Sequence, residues 1–187
     1  MTKETVEGIG SFYQHTCRCP VVLTARAGGR SNAMAVGRHM LLSSRPPVYA
    51  VSIMPARFTY RLIIESKEFG INFLPFGMVK LVDAVGTISG HDGDKFQKLS
   101  IAVDQPIKTT VPILKDAYAA CECRLIDDRA YGENRLLVGE VVAAHVLSGT
   151  MTPKKVLDLG KVQPIVSLGY QHYASVPLET VECIERS

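Results

Sequence analysis

Alternation of apolar and polar positions is clearest between residues 46 and 75, PPVYAVSIMPARFTYRLIIESKEFGINFLP. Residues 48–53 alternate as a strand does, and Pro55 then forbids continuation of a hydrogen-bonded ladder. Apolar residues four positions apart predict a helix over residues 57–66. The next strand is predicted over residues 69–73, so the stretch reads as strand, sharp turn, helix and strand.

The junction between this strand and this helix carries groups that bind anions. The first backbone N–H groups of a helix attract negative charge, and Arg57 and Thr59 add a guanidinium and a hydroxyl at the same place. We therefore expect a phosphate or another anion here, and a solvated arginine beside a local hydroxyl is the alternative. On another face, Arg61 precedes Glu65 by four residues, which predicts an ion pair.

The segment before this stretch predicts a hairpin. Residues 21–26 form its first strand, a Gly-Gly turn follows at residues 28–29, and residues 34–37 return as the second strand. The small side chains of residues 31–35 would let a flat ligand approach the backbone. Small residues near a turn are also common without any such role.

Residues 76–89 have helical spacing and predict an amphipathic helix that ends at Ser89 and Gly90. A polar loop and a short helical turn follow. His91 in that loop is interpreted as a surface residue, and Lys95 fits a solvated position as well as a binding one.

Two long strands, over residues 116–127 and 135–147, predict a second hairpin. The second of them is apolar on both faces except at Glu140 and His145, so it must be covered by a barrel interior on one side and a helix or partner subunit on the other. Glu140 is therefore expected to be a partly buried acid with a structural hydrogen bond. With a last strand over residues 164–169, the pattern predicts a mainly β protein, a closed or split barrel with a few short helices.

The cysteines form two C-x-C pairs and one isolated residue, at positions 17, 19, 121, 123 and 183. Metal sites usually separate paired cysteines by two or more residues, whereas residues two apart in a strand share one face. We therefore interpret Cys121 and Cys123 as buried structural thiols in an apolar stripe with Ala117, Ala119 and Leu125. A metal site is the less favoured alternative.

Composition limits the possible functions. The 187 residues predict a single domain, with residues 1–19 as a loose arm that includes a short helix ending near His15. A net charge of +3, from scattered basic residues, argues against a nucleic-acid partner. The chain lacks both an apolar run of about 20 residues and the apolar core of a signal peptide, so we expect a cytoplasmic protein without a membrane partner.

The chain resembles a known family from about residue 20 to about residue 173. The longest stretch that carries the resemblance is PVVLTARAGGRSNAMAVGRHMLLSSRPPVYAVSIMPARFTYRLIIESKEFGINF, residues 20–73. Shorter motifs continue it: SG at residues 89–90, DKF at 94–96, ECRL at 122–125 and VGEVV at 138–142. No single motif is diagnostic, but their order and spacing resemble flavin-reductase-like proteins with the FMN-binding split β-barrel, among them flavoredoxins and flavin or ferric reductases. The resemblance implies a Greek-key-like split barrel, a homodimer, and non-covalent FMN near the subunit interface.

The resemblance also implies which positions bind FMN. Residues 31–36 would lie along the flavin ring and the ribityl chain, and residues 52 and 53 would line the ring. Residues 57, 59 and 60 would approach the phosphate. Residues 89–91 and residue 95 would complete the ribityl and phosphate site. The implied FMN-binding residues are Ser31, Asn32, Ala33, Met34, Ala35, Val36, Ser52, Ile53, Arg57, Thr59, Tyr60, Ser89, Gly90, His91 and Lys95. Some relatives carry a tryptophan near the position of Arg38, and this chain has no tryptophan to stack there.

The implied activity is an NAD(P)H-dependent flavin or ferric reductase, in which hydride passes from nicotinamide to flavin N5 and no protein side chain acts as a catalyst. Because the G-x-G-x-x-G fingerprint is absent, NAD(P)H would bind only as a transient substrate. The alternative is a flavoredoxin-like FMN carrier that an electron-transfer protein partner reduces. A heme- or vitamin-binding relative on the same barrel is a third, weaker possibility.

Overall fold

The computed structural model describes residues 2–5, 7 and 14–184. Strands β1 to β11 span Val21–Ala27, Arg30–Val36, His39–Ser44, Pro47–Ile53, Glu68–Phe73, Val103–Asp104, Ile113–Leu114, Ala119–Tyr131, Asn134–Val146, Ile165–Gly169 and His172–Ser175. Helices α1 to α3 span Phe58–Ser66, Val79–Thr87 and Lys95–Lys98, and 3₁₀ turns cover Phe76–Met78, Gly90–Asp92 and Leu178–Thr180. No helix among the described residues is long and apolar enough to cross a membrane.

Seven of these strands form one sheet in the order β2-β1-β5-β8-β9-β4-β3. All of its pairings are antiparallel. Two small two-stranded sheets, β10-β11 and β6-β7, accompany it. The predicted mainly β fold with a few short helices is therefore confirmed.

The main core lies on the concave side of this sheet. Strands that are far apart in the sheet order contribute to one buried cluster, which includes Leu23, Val51, Phe69, Cys123 and Leu137. A flat sheet would hold these strands apart, so the sheet must curl as the wall of a barrel does. Helix α1 packs Leu62 and Ile63 into the same cluster.

A second core covers the other face of β1 and β2. Val82 and Val85 of α2 pack there against Val22 of β1 and Ala33 of β2. Successive residues of a strand point to opposite faces, so the fully buried Val22 and Leu23 place β1 between two apolar layers. The middle of α2 therefore packs against β1 and β2.

The region between residues 46 and 75 folds as its sequence pattern predicts. Strand β4 ends at Ile53, α1 begins after Arg57, and β5 follows directly. The turn into β5 is made by Lys67, whose left-handed φ of 61° closes the helix with an N–H that donates to the Ile63 carbonyl. The strand–turn–helix–strand prediction is confirmed here to within one residue at most boundaries.

Several elements differ from the prediction, among them β8, which spans Ala119–Tyr131 rather than residues 116–127. Strand β2 begins at Arg30 rather than at residue 34, because its register with β1 runs unbroken from Arg30. Strand β3 was not predicted: it is an edge strand whose consecutive Met40, Leu41 and Leu42 are exposed and show no alternation. The predicted helix over residues 76–89 is a 3₁₀ turn followed by the shorter α2.

The prediction of a buried Glu140 is wrong, and the buried acid is Glu122 on the neighbouring strand. Glu140 is exposed, whereas Glu122 is fully buried. Leu137 and Val141 of β9 pack into the main core, so alternation places Glu140 on the opposite face of the strand. Glu122 is buried because residues 107–109 cover its face of β8, and a count of alternating residues does not show that cover.

Glu122 is held by five hydrogen bonds. Its two oxygens accept the backbone N–H groups of Ile107, Lys108 and Thr109, at 2.6, 2.8 and 2.7 Å. They also accept the Thr109 hydroxyl at 2.8 Å and approach His145 Nε2 at 2.7 Å. Burial alone would raise the pKa of this carboxyl, but the hydrogen bonds, led by that from Ile107, lower it to about 2.

The stripe predicted along β8 is present over part of its length. Cys123 is fully buried, and Cys121 and Leu125 pack against the same main core, with the two sulfurs 3.9 Å apart. Ala117 belongs to the other cores instead. Cys17 and Cys19 are exposed, and the described residues contain no group of three metal-ligating side chains.

Part of the predicted N-terminal arm lies outside the described residues. Gln14 and His15 form a 3₁₀ turn, and the earlier portion of the predicted short helix falls on residues 8–13, which are not described. Arg18 exchanges two backbone hydrogen bonds with Ser167 of β10, at 3.0 and 2.7 Å. The end of the arm is thus attached to the small β10-β11 sheet.

Candidate functional site

A cavity of about 260 Å³ opens between β2, the end of β4, the start of α1 and the segment after α2. Its lining includes twelve of the fifteen positions implied by the sequence resemblance, namely Asn32, Met34, Ala35, Val36, Ser52, Ile53, Arg57, Thr59, Ser89, Gly90, His91 and Lys95. Residues from four separate stretches of the chain therefore meet at one place.

The N-terminus of α1 faces this cavity. Pro55 ends the ladder of β4, and Arg57 then caps the helix in an extended conformation, with φ −74° and ψ 136°. The Arg57 side chain makes no capping hydrogen bond, so the helix begins without a side-chain acceptor of its own. First-turn N–H groups have no partners within a helix, and the helix dipole adds positive potential, so this end can bind an anion.

Asn32 and Thr59 form a buried hydrogen-bonded pair in the cavity wall. Asn32 Nδ2 donates to Thr59 Oγ1 at 2.8 Å, and the two residues are only 3% and 1% exposed. Because Thr59 Oγ1 accepts this bond, its own O–H remains able to donate to a ligand. Asn32 Oδ1 is buried without any hydrogen-bond partner. A ligand donor would remove the cost of about 1–3 kcal/mol that an unpaired buried acceptor carries.

Gly90 allows this close packing. A Cβ atom at Gly90 would lie 2.6 Å from Asn32 Oδ1 and 2.7 Å from Phe58 Cδ1. Any larger residue would push the Asn32 amide or the first residue of α1 away. Glycine at position 90 is therefore required by contact with the cavity wall.

Lys95 is buried, and the alternative of a solvated side chain is wrong. It is 2% exposed, and its Nζ donates to the carbonyl oxygens of Ala33 and Val85, both at 2.8 Å. Burial, and then the nearby charge of Arg57, lowers the pKa of this ammonium to about 8. Lys95 thus ties β2 to the end of α2 and brings a positive charge to the cavity.

Two further arginines lie around Phe58, the first residue of α1. The guanidinium carbon of Arg30 lies 4.3 Å from the centre of the Phe58 ring, and that of Arg61 lies 5.7 Å from it. The predicted ion pair between Arg61 and Glu65 is absent from the ion pairs of the described residues. Glu65 Oε1 instead lies against the turn at Gly28. The surroundings of the α1 N-terminus are therefore strongly positive.

Three of the implied positions do not line the cavity: Ser31, Ala33 and Tyr60. Ser31 and Ala33 alternate with Asn32 along β2, and Ala33 packs into the second core. Tyr60 donates its hydroxyl to Asp128 Oδ2 at 2.9 Å, and burial, followed by this bond, raises its pKa. Contact of these three residues with the ligand stays a prediction, and none of the three lines this cavity.

The cavity also includes residues that the sequence did not suggest. They are Gly37, Arg38, Met54, Ala56, Phe58, Val85, Gly86, Thr87, Ile88 and Asn134. Most neighbour an implied position and could have been found by extending each motif by one or two residues. Asn134 could not, because it comes from the tip of the β8–β9 hairpin, and the chain carries no motif that points to it.

The family of the chain is shown by comparison. The model of the flavin reductase like domain matches residues 13–170, which is most of the sequence, so the chain belongs to that family. Its fold is correspondingly the split barrel of flavin reductases, as the curled sheet indicates.

Three relatives illustrate the similarity. The FMN-binding protein of Thermus thermophilus, solved with 1-cyclohex-2-enone, is 31% identical with a TM-score of 0.86, covering 98% of this chain and 100% of that one. Flavoredoxin of Methanosarcina acetivorans is 25% identical with a TM-score of 0.80, covering 94% and 91%. A ferric-chelate reductase (NAD(P)H) of Archaeoglobus fulgidus is 26% identical over 127 residues, 67% of this chain and 74% of its own.

The matches to several curated relatives are partial in length. The chain spans between 49% and 67% of the length of four curated proteins to which it is 32–34% identical. The activities of these proteins therefore do not transfer directly to this chain.

Proposed function

We propose that this chain is an FMN-binding flavoprotein that acts as an NAD(P)H-dependent flavin or ferric reductase. The observation that carries the proposal is the cavity at the α1 N-terminus, where Arg57 and the Thr59 hydroxyl stand beside first-turn N–H groups. A phosphate dianion is the ligand that such a set of donors binds best. The similarity to the Thermus relative, which is named an FMN-binding protein, supports the proposal.

The other residues of the cavity fit the rest of a flavin mononucleotide. Asn32 Oδ1 is an acceptor without a partner, which suits a hydroxyl of the ribityl chain. Met34 and Val36 of β2 also line the cavity, as do Ser52 and Ile53 at the end of β4, and together they suit the face of a flat ring. The cavity thus offers polar residues to the phosphate end of the flavin and mainly apolar residues to its ring.

When bound, the flavin supplies the redox chemistry by accepting a hydride at N5. The chain itself binds and orients. Arg57, Thr59 and the α1 N-terminus hold the phosphate. Lys95 holds β2 against the end of α2 through its hydrogen bonds to two backbone carbonyl oxygens. These contacts fix the ring at one depth in the cavity, so that a nicotinamide can stack on its open face.

A homodimer belongs to the same proposal. A cavity of about 260 Å³ is slightly below the usual ~300–1,000 Å³ of ligand sites, so a second subunit would complete its enclosure. Apolar residues also remain exposed along the sheet, among them Met40, Leu41, Val146 and Leu147. Light scattering should return about twice the 20.4 kDa of the chain, and a flavin-loaded monomer would contradict it.

The second candidate is an FMN electron carrier that a protein partner reduces. It is favoured by the similarity to a flavoredoxin over 94% of the chain. Anaerobic stopped-flow absorbance distinguishes the two: a reductase loses its flavin absorbance on mixing with NADH or NADPH at a rate that supports turnover. If dithionite bleaches the flavin and neither nicotinamide does, the carrier is correct. A purified protein without a flavin spectrum, after incubation with FMN, would contradict both.

A further inference from the structure

Two buried side-chain atoms among the described residues lack a hydrogen-bond partner, and both belong to residues that line the cavity. They are Asn32 Oδ1 and Asn134 Oδ1. An unpaired buried acceptor is unfavourable, so two of them on one cavity indicate a ligand that brings two donors. Asn134 is the unexpected member of the pair, because it lies on a hairpin far from the other lining residues in sequence.

The position of Asn134 is fixed by its neighbours. It opens β9 opposite Tyr131, and the next residue, Arg135, pairs with Ile53 at the end of β4. Arg135 Nε donates to Asp128 Oδ1 at 2.7 Å, and Tyr60 of α1 donates to the other oxygen of Asp128. The hairpin tip is thereby fastened both to β4 and to α1, so Asn134 keeps a constant place relative to the α1 N-terminus.

The two unpaired oxygens, Asn32 Oδ1 and Asn134 Oδ1, suit different hydrogen-bond donors of one flavin. Asn32 is bonded to Thr59 and therefore lies at the phosphate end, where only the hydroxyls of the ribityl chain are available. Asn134 lies beside Ile53, in the part of the cavity that suits the ring. The oxidised ring carries a single N–H donor, the imide N3–H between two carbonyl groups.

Resting on the proposed function, we propose that Asn134 is a specificity-determining residue whose Oδ1 accepts the N3–H of the flavin ring. This side chain would then select a ring with an imide donor, independently of the phosphate contacts at α1. The hairpin tip, which no sequence motif marks, would form the recognition wall for the ring edge.

The test compares FMN with 3-methyl-FMN, in which a methyl group replaces the imide hydrogen. Dissociation constants are measured by titrating each flavin into full-length protein stripped of flavin, and no turnover is needed. The unaltered chain should bind FMN at least about tenfold more tightly than 3-methyl-FMN, because the methylated ring leaves Asn134 Oδ1 unpaired. In Asn134→Ala, FMN should weaken about tenfold while 3-methyl-FMN changes little, so the ratio falls towards 1.

Two further variants complete the design. Asn134→Asp keeps an acceptor oxygen and should retain the preference for FMN, whereas Glu133→Ala, an exposed neighbour in the same turn, should behave as the unaltered chain. If Asn134→Ala still binds FMN more tightly than 3-methyl-FMN, the assignment of Asn134 is wrong, while the proposal that the chain binds FMN stands. Equal weakening of both flavins in Asn134→Ala also overturns the assignment, because Asn134 would then only shape the hairpin. Failure of the unaltered chain to bind either flavin overturns both this assignment and the proposed function.

Discussion

Two buried polar centres in this chain differ in how far the protein itself satisfies their hydrogen bonds. Glu122 accepts five hydrogen bonds from within the chain, and neither of its oxygens lacks a partner. Asn32 is similarly buried but uses only its Nδ2, and its Oδ1 has no hydrogen-bond partner.

The difference shows which centre serves the fold and which serves a ligand. A carboxylate with every lone pair occupied has nothing left to offer a ligand, and its contacts instead hold the segment of residues 107–109 against β8. An amide with a free acceptor, beside the start of α1 and the buried charge of Lys95, is complete only when a ligand arrives. Burial alone would not have separated the two.

The largest expected effect is on the saturated centre. Glu122→Ala leaves three backbone N–H groups and His145 without their acceptor, so we expect a loss of about 3–5 kcal/mol in the free energy of unfolding. For a chain of this size that lowers Tm by about 10 °C. Calorimetry measures it, and the exposed Glu140→Ala on the paired strand is the matched control, with little change expected.

The same centre predicts a pH dependence. The pKa of Glu122 falls from an ordinary 4.5 to about 2 on folding, so its contribution is complete above pH 4.5 and is lost as pH falls towards 2. Glu122→Ala should lose much less stability over that window than the unaltered chain does. Parallel acid-stability curves of the two proteins would show that Glu122 is not a major titrating group.

The second effect concerns the unsaturated centre. Arg57→Ala should spare stability, whereas Thr59→Val also leaves the buried Asn32 Nδ2 without its acceptor and should cost about 1–3 kcal/mol. Arg57→Ala and Thr59→Val each remove one charge-assisted hydrogen bond, worth about 1.5–3 kcal/mol, so FMN should bind about tenfold to a hundredfold more weakly. Riboflavin, which lacks the phosphate, should bind almost as before. Arg61→Ala, on the same helix but outside the cavity lining, is the control. Equal losses for FMN and riboflavin would place the phosphate elsewhere.

The smallest effect links Lys95 to pH. Its pKa lies at about 8 in the folded chain, below the ordinary 10.5, so the folded state holds this proton less tightly than the unfolded state does. Stability from this group should therefore rise between pH 8 and 10.5. Over the same range the cavity loses a positive charge, and FMN should weaken by less than tenfold. Titrating FMN into the protein at pH 7 and at pH 9 measures this loss of affinity. If the FMN affinity of a Lys95→Met variant falls as steeply with pH as that of the unaltered chain, the prediction is wrong.

Much of the fold and part of the site could be predicted from sequence because the signals are local. Pro55 and the spacing after it define the start of α1, and with it the positions of Arg57 and Thr59. Contacts between distant segments gave no such signal. Asn134 enters the cavity only because its hairpin pairs with β4, and Tyr60 turns to Asp128 only because that hairpin is near.

Sequence alone therefore determined the family resemblance, the antiparallel strands and the strand-to-helix junction, since each depends on neighbouring residues and on the rigid backbone of proline. The tertiary structure decided which polar side chains are buried and which of them find partners. The packing of residues 107–109 against β8 made Glu122 rather than Glu140 the buried acid. The meeting of β2, α1 and Gly90 left Asn32 with a free acceptor. These outcomes depend on distances between remote segments, which only the folded chain sets.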